Sequence, residues 1–208
     1  MAITNYTTLQ STIADYLART DLTSQIPLFV QLAENRLRRD LRIRPMLKVV
    51  TTSTVANQAT VEMPTDFLEM RDLHIEANPI HTLIYQNPSN FFRNSKAGTL
   101  TGGYPNNYTV MGSEFQFAPI PDAVYTLKMV YYAAPDYLSS TNSSNTFLAY
   151  CPDLLLYASL GEAEPYLMND ARVATWAALY DRGLNSLTAS DDAGENPTAP
   201  LVISVATR

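Results

Sequence analysis

The chain reads YCPDLLLYASLGEAEPYLMNDARVATWAALYDRGLNSL over residues 150–187, and this stretch predicts two consecutive helices. Pro152 is tolerated in the first turn of the first helix, because the N–H that proline lacks has no helical partner there. Residues 154–163 are apolar around almost the whole helical circumference. Such a helix has no solvent face of its own and must be covered on more than one side. Pro165 is predicted to end it.

The second helix of this stretch is amphipathic. Asn169 and Asp170 can begin it as a cap and an acid matched to the helix dipole. Its apolar residues recur at three- and four-residue steps, which predicts one buried face. They are Val173, Trp176, Ala177, Tyr180, Leu184 and Leu187. Residues 150–187 therefore predict a helical hairpin that needs partners.

The N-terminal segment predicts a second hairpin that can supply this cover. Residues 6–19 place Leu9, Ile13, Tyr16 and Leu17 on one helical face. A further helix is expected to begin near Thr23 or Ser24, either of which can cap it, with Pro27 in its first turn and Pro45 at its end. Its buried stripe is predicted to be Ile26, Phe29, Val30, Ala33, Leu37 and Leu41.

Residues 48–135 change to a β-type pattern. Two hairpins are predicted, one around residues 56–58 and one around Gly112-Ser113. Residues 124–132 alternate between two faces as a strand does, and residues 91–107 are expected to form a surface loop. The predicted strands are Val49–Val55, Ala59–Met63, Asp72–Glu76, Tyr108–Met111, Glu114–Ala118 and Val124–Tyr132.

The order of elements predicts an α+β fold with N- and C-terminal helical hairpins that form a helix bundle. We expect residues 1–47 with 148–190 to form the bundle and residues 48–147 to form a β-rich insertion. Residues 191–208 are expected to be an extended C-terminal arm. Its end, LVISVATR, is a β-type segment with no obvious partner strand in its own domain.

Composition and charge exclude several functional classes. The 208 residues carry a formal net charge of −6, whereas a general nucleic-acid binder is usually basic. Cys151 is the only cysteine, so no disulfide framework or thiolate metal cluster is expected. No apolar run approaches the length of a membrane span, and no signal peptide is recognised. We therefore expect a soluble protein with no membrane association.

No residue pattern predicts an enzyme, a metal site or a cofactor. His74 and His81 are the only histidines and lack further ligands of the kind that zinc needs. Glu162 and Glu164 would lie on different sides of a helix, which favours a solvated or salt-bridged helix end over acid–base catalysis. Cys151 lies at a helix N-terminus without a neighbouring base, so a buried structural role is favoured.

A basic cluster is the sharpest charge feature, and three interpretations stay open. The arginines could complement the dipole at a helix C-terminus, pair with acids of a neighbouring subunit, or contact DNA phosphate. The acidic overall charge makes the DNA interpretation the weakest. The cluster comprises Arg36, Arg38, Arg39, Arg42, Arg44 and Lys48, and the acids on the opposite hairpin are Glu162, Glu164, Asp170 and Asp181.

Four segments together resemble the adaptor proteins of tailed, chiefly short-tailed, bacteriophages, the head-to-tail connectors beneath the portal. The resemblance lies in whole segments in the right order and not in a catalytic motif. It covers nearly all of residues 6–187. The segments are DLTSQIPLFVQLAENRLRRDLRIR at 21–44, MPTDFLEMRDL at 63–73, YYAAPDYLS at 131–139 and YCPDLLLYASLGEAEPYLMNDARVATW at 150–176.

This resemblance implies a non-enzymatic virion protein of the neck, assembled in the host cytoplasm. Twelve copies would form a ring on the portal, extend the channel that double-stranded DNA passes during ejection without sequence-specific binding, and offer a platform to tail nozzle or tail fibre proteins. The alternatives are a tail-tube or nozzle component and a cell-wall glycan hydrolase.

A ring uses head-to-tail contacts between two different faces of each subunit. The expected contact residues are those arginines, Glu162, Glu164 and Asp170. The tail residues Leu201, Val202, Ile203 and Val205 are expected to add as a strand to a neighbouring subunit or to the portal.

Overall fold

A computed structural model describes residues 2–94, 102–168 and 170–195. It confirms the α+β class. The chain divides into two compact units. One is helical and contains the described residues up to Pro45 and from Pro135 to Glu195, and the other is β-rich and lies within Met46–Ala134.

The helical unit is built around one central helix. Six helices are described: α1 Tyr6–Leu17, α2 Ile26–Asp40, α3 Pro88–Asn94, α4 Thr146–Tyr150, α5 Pro152–Tyr166 and α6 Asp170–Glu195. All of these except α3 lie in the helical unit, where α1, α2, α4 and α6 pack against α5. Leu155, Ala158 and Leu160 of α5 are fully buried. The apolar circumference of α5 thus has the cover that its sequence requires.

Two helix ends differ from the sequence prediction. Pro165 lies inside the last turn of α5, which continues to Tyr166, so the prediction that Pro165 ends the helix was wrong by one residue. Helix α2 begins at Ile26, and the preceding residue makes no side-chain cap. The predicted cap at Thr23 or Ser24 was wrong, because the carbonyl of Leu22 already accepts the Ile26 N–H at 2.9 Å.

The last helix is longer than its apolar stripe indicated. Helix α6 runs on past Leu187 to Glu195. Residues 191–195, which were assigned to the extended arm, are therefore helical. Composition alone did not reveal this, because Ser, Asp and Gly are weak helix formers whose placement depends on tertiary contacts. Residues 196–208 lie outside the described part of the chain.

The β-rich unit contains two four-stranded sheets, ordered β1-β10-β3-β4 and β2-β8-β7-β5, and a short two-stranded sheet β6-β9. One core lies between the large sheets, with Leu127, Met129 and Tyr131 from the first and Phe115 and Phe117 from the second. The strands are β1 Leu47–Ser53, β2 Thr60–Glu62, β3 Phe67–Ile75, β4 His81–Thr82, β5 Ile84–Tyr85, β6 Gly102–Gly103, β7 Asn107–Met111, β8 Glu114–Ala118, β9 Ile120–Pro121 and β10 Thr126–Ala133.

The predicted hairpin at Gly112-Ser113 is confirmed, since β7 and β8 pair antiparallel around it. The alternation of residues 124–132 is also confirmed, because every second side chain of β10 is buried. The other predicted hairpin was wrong: β1 pairs with β10 and β2 pairs with β8, so the two strands belong to different sheets. After β1, Thr54 is still held to the segment before β10, because its hydroxyl donates to the Ala123 carbonyl and accepts the Tyr125 N–H.

The predicted surface loop at 91–107 was wrong in part. Phe91 belongs to α3 and is fully buried, and residues 102–103 and 107 belong to strands. Residues 95–101 lie outside the described part of the chain.

Candidate interaction surface

Arg38 ties α2 to the connector that follows the β-rich unit. Its guanidinium donates to the Pro135 carbonyl and lies over the ring of Tyr137, with 3.5 Å between Cζ and the ring centroid. The Tyr137 hydroxyl in turn donates to Asn35 Oδ1 at 2.5 Å. Because these contacts lie within one helical unit, Arg38 serves the fold of the chain itself.

Arg36 joins α2 to α6. Its Nε lies 3.6 Å from Asp40 Oδ2, and its Cζ lies 4.0 Å from the ring centroid of Tyr180. The Tyr180 hydroxyl donates to the same carboxylate oxygen at 2.9 Å. Burial and this hydrogen bond to Asp40 raise the pKa of Tyr180 above its usual range. The tyrosine therefore acts as a neutral donor across the helix pair.

Arg42 and Arg44 make hydrogen bonds at the C-terminal ends of α2 and α6. Arg42 Nη1 donates to the carbonyls of Arg38 and Leu41 at 2.8 and 2.7 Å, which satisfies acceptors at the C-terminus of α2. Arg44 binds the end of α6: its Nε donates to Asp191 Oδ1 at 2.9 Å and its Nη1 to the Gly194 carbonyl at 3.1 Å.

Arg39 is the exception in the cluster. It lies in the last turn of α2, is exposed, and has no ion-pair partner within the described part of the chain. The five arginines of the cluster thus divide into Arg36, Arg38, Arg42 and Arg44, which make contacts inside the helical unit, and Arg39, which faces solvent.

The predicted acids are placed differently from one another. Glu164 is fully buried, where its Oε1 accepts the Trp176 Nε1–H at 3.0 Å and pairs with Arg172 Nε at 3.1 Å. Its other oxygen is buried without a partner in the described residues. Glu162 is half-buried, and Asp170 stands at the start of α6. Glu162 and Glu164 form no open carboxylate pair, since Trp176 and Arg172 occupy Glu164.

The tail residues Leu201, Val202, Ile203 and Val205 lie outside the described residues.

Sequence reasoning missed an exposed stripe on α2. Leu28 and Leu32 are 52% and 39% exposed, although they belong to the helix that supplies much of the core. With Asn35 and Arg39 they follow steps of three and four residues, so the four side chains share one face of the helix. We call these four residues the α2 outer stripe. The signal was present in the sequence, because Leu28 and Leu32 fall opposite the buried stripe.

A groove of about 690 Å³ runs beside the stripe. Its walls include Tyr6 and Gln10 of α1, Pro27 and Leu28 of α2, and Tyr137 of the connector. Several of these side chains carry both an apolar body and a polar group, which is a common composition for surfaces that bind other proteins.

Glu34 holds the connector beside the groove. This carboxylate is 1% exposed and accepts the Leu138 N–H at 3.0 Å and the Asn145 amide at 2.6 Å, both on Oε1. Burial raises the pKa of Glu34, while these hydrogen bonds and the charge of Arg38 act to lower it. A buried acid therefore fixes the wall that Tyr137 and Leu138 supply.

Cys151, the remaining candidate for nucleophilic chemistry, is buried. Cys151 is 2% exposed, and burial raises its pKa to about 12. Among residues 2–94, 102–168 and 170–195 no group of three His, Cys, Asp or Glu side chains is arranged to hold a metal ion. No helix in these same ranges is sufficiently long and apolar to cross a membrane.

A family model described as SU10 adaptor protein matches residues 4–202 and so extends over most of both compact units. No curated protein matches the chain.

Proposed function

The chain belongs to the SU10 adaptor protein family, a family of phage head-to-tail adaptors, and from this premise we propose that it forms a ring docked on the portal. The single observation that carries the proposal is the extent of the family match, which runs from residue 4 to residue 202. Family membership implies a structural role in the virion neck. The finer proposal is that twelve copies assemble in the host cytoplasm, extend the DNA channel and support tail nozzle or tail fibre proteins.

The surface of the helical unit supports assembly through two different faces. The α2 outer stripe offers Leu28 and Leu32 beside the cationic Arg39. Half-buried Glu162 and exposed Asp181 offer acid on α5 and α6. A ring requires such unlike faces, because each copy presents one to its left neighbour and the other to its right neighbour. We propose the stripe as one of these faces.

The net charge of −6 is consistent with the proposed DNA channel. A lumen lined by negative charge repels DNA phosphates, so double-stranded DNA can pass without binding the wall.

The proposal is tested by mixing the purified full chain with its portal and imaging the complex along its axis by electron microscopy. We expect a twelvefold ring on the portal. A chain that stays monomeric and does not bind the portal would overturn the proposal. Binding first to an isolated tail nozzle instead of the portal would favour a tail-tube or nozzle role.

A further inference from the structure

Strand β1 is an open edge of the first large sheet. It pairs along its whole length with β10, from Leu47 opposite Tyr132 to Ser53 opposite Thr126. On its other side no strand pairs with it in the described part of the chain. Val49 is 57% exposed, and Thr51 and Ser53 are also exposed, so this edge is open to solvent.

Two hydrogen bonds fix which backbone groups face the open side. The Thr54 N–H donates to the Tyr125 carbonyl directly opposite at 2.9 Å. On the far side of β10, the Glu76 N–H donates to the Thr126 carbonyl at 2.9 Å. Backbone groups alternate in direction along an antiparallel strand. Both bonds therefore direct Thr52 and its alternate neighbours toward β10.

Val49, Thr51 and Ser53 alternate with the residues that face β10, so their N–H and carbonyl groups point away from β10. No hydrogen bond to these outward groups occurs within the described residues. They form a row of alternating donors and acceptors, which is the template that an added strand needs.

The usual protections of a sheet edge are weak here. Proteins commonly protect an edge strand with proline, a bulge or free lysine side chains. Strand β1 contains no proline, and its register with β10 has no shift, although β10 shifts twice against β3. Its one charged residue, Lys48, is paired with Asp66 at 2.5 Å. The edge is regular, nearly uncharged and suited to pairing.

We propose that this edge accepts Leu201–Val205 of a second copy of the chain as an added strand, which rests on the ring assembly proposed above. The donor sequence LVISV carries no charge and is rich in β-branched residues, which matches an edge of sequence VVTTS. Five residues span about 17 Å in a strand, which is shorter than the seven-residue edge.

The donor and the acceptor are different parts of the chain. Leu201 follows the last described residue of α6, Glu195, after five residues. Such a contact repeats from copy to copy as a ring requires, because every copy has one donor and one acceptor.

The first test uses disulfide cross-linking between full chains that carry one new cysteine each. A Thr51→Cys chain is mixed with an Ile203→Cys chain, assembled and oxidised. A Val49→Cys chain tests the next position on the same side of the strand. We expect a mixed dimer on a non-reducing gel. The matched control is Val124→Cys, which is 67% exposed but lies off the edge. Buried Cys151 is retained in every chain, including the unsubstituted control.

The second test blocks the edge. Thr51→Pro removes an N–H that faces away from β10, so the pairing with β10 is kept. Its control is Thr51→Ala, which shortens the same side chain and keeps the N–H. We expect Thr51→Pro to weaken ring assembly about tenfold relative to Thr51→Ala, as measured by analytical ultracentrifugation.

The outcomes separate this inference from the proposed function. Failure of the unsubstituted chain to oligomerise or bind the portal would overturn the proposed function. A ring that forms without the mixed cross-link, and equally well with Thr51→Pro and Thr51→Ala, would overturn only the strand addition. Cross-linking of Thr51→Cys chains to each other would show that two β1 edges pair. A cross-link confined to one chain carrying both cysteines would show that the donor is internal.

Discussion

At the scale of single residues, burial changes what a side chain can do. Glu164, Glu34 and Cys151 each have the chemistry of a reactive group, yet all three are buried. The sequence favoured a buried cysteine, which is confirmed, and a solvated or salt-bridged helix end at Glu162 and Glu164, of which Glu164 is buried and pairs with Arg172. The burial of Glu34 was not predicted, because a lone acid in a helix cannot be distinguished from an exposed one until its partners at Leu138 and Asn145 are known.

Substitution of Glu34 should make the stability of the helical unit less dependent on pH. Burial raises the pKa of Glu34 in the folded chain. The contribution of the Glu34 carboxyl to the free energy of unfolding is therefore complete at pH values below the ordinary pKa of glutamate. That contribution is lost as the pH rises through the raised pKa. We expect the free energy of unfolding of Glu34→Gln to change less with pH than that of the unsubstituted chain, as measured by urea unfolding across the acidic range.

The control for this measurement is Glu34→Ala, which removes the acceptor for two donors and should lower the free energy of unfolding by about 2–3 kcal/mol. An unchanged slope in Glu34→Gln would contradict the role assigned to the carboxyl.

The thiol of Cys151 should be unreactive in the folded chain. Burial excludes reagents, and the pKa of about 12 keeps the thiol protonated at pH 8. We expect no labelling by iodoacetamide over an hour, followed by complete labelling in guanidinium chloride, as read by mass spectrometry. Rapid labelling under native conditions would show that the start of α5 opens readily.

Substitution of Arg38 should affect folding, whereas substitution of Arg39 should affect assembly. Arg38→Ala removes contacts to Pro135 and Tyr137 and should lower the free energy of unfolding by about 1–3 kcal/mol. Arg39→Ala removes an exposed charge and should change it by less than about 0.5 kcal/mol. Only Arg39→Ala should give a stable monomer that assembles poorly, as measured by thermal unfolding and by ultracentrifugation. Normal assembly of Arg39→Ala would remove Arg39 from the proposed face.

At the scale of elements, local patterns predicted what local geometry controls. The β7–β8 hairpin was predicted from Gly112-Ser113 because a two-residue turn is a short-range feature. The pairing of β1 with β10 was not predicted, because the strands are far apart in sequence and alternation alone does not identify a partner. The end of α6 was missed because Arg44 contacts its last turns from a distant part of the chain.

The turn at Gly112 provides an element-scale test. Gly112 has φ of +60°, and a Cβ added there would meet no atom within 4 Å. Gly112→Ala should therefore lower the free energy of unfolding of the β-rich unit by about 1–2 kcal/mol through backbone strain alone. The control is Gly102→Ala, which has no positive φ and would make only ordinary contacts. Equal effects in thermal unfolding would contradict this account.

At the scale of the whole molecule, the sequence predicted the α+β class and the phage adaptor family, and both are confirmed. The role of the arginines as subunit contacts stays a prediction. Four of the five predicted arginines of α2 and its C-terminal end contact their own helical unit, because a charge cluster in sequence does not reveal the carbonyls, rings and acids around it. The exposure of Leu28 and Leu32 could have been predicted, because both residues lie opposite the buried stripe of α2.

Truncations should distinguish the role of the end of α6 in stability from the role of the residues beyond it in assembly. A chain that ends at residue 195 should keep the circular dichroism spectrum and melting temperature of the full chain, yet assemble poorly. A chain that ends at residue 190 also loses the Arg44–Asp191 pair and should melt about 2–4 °C lower. Loss of the folded spectrum at residue 195 would contradict the view of the tail as a partner-binding arm.

The chain has a single tryptophan, and Trp176 lies in the helical unit, buried against Glu164 and stacked on Tyr157. Tryptophan fluorescence is consequently a spectroscopic probe of the helical unit alone, because the β-rich unit contains no tryptophan. A denaturation curve followed by tryptophan emission, overlaid on one followed by far-ultraviolet dichroism, will reveal whether the two units melt as one cooperative block or in succession.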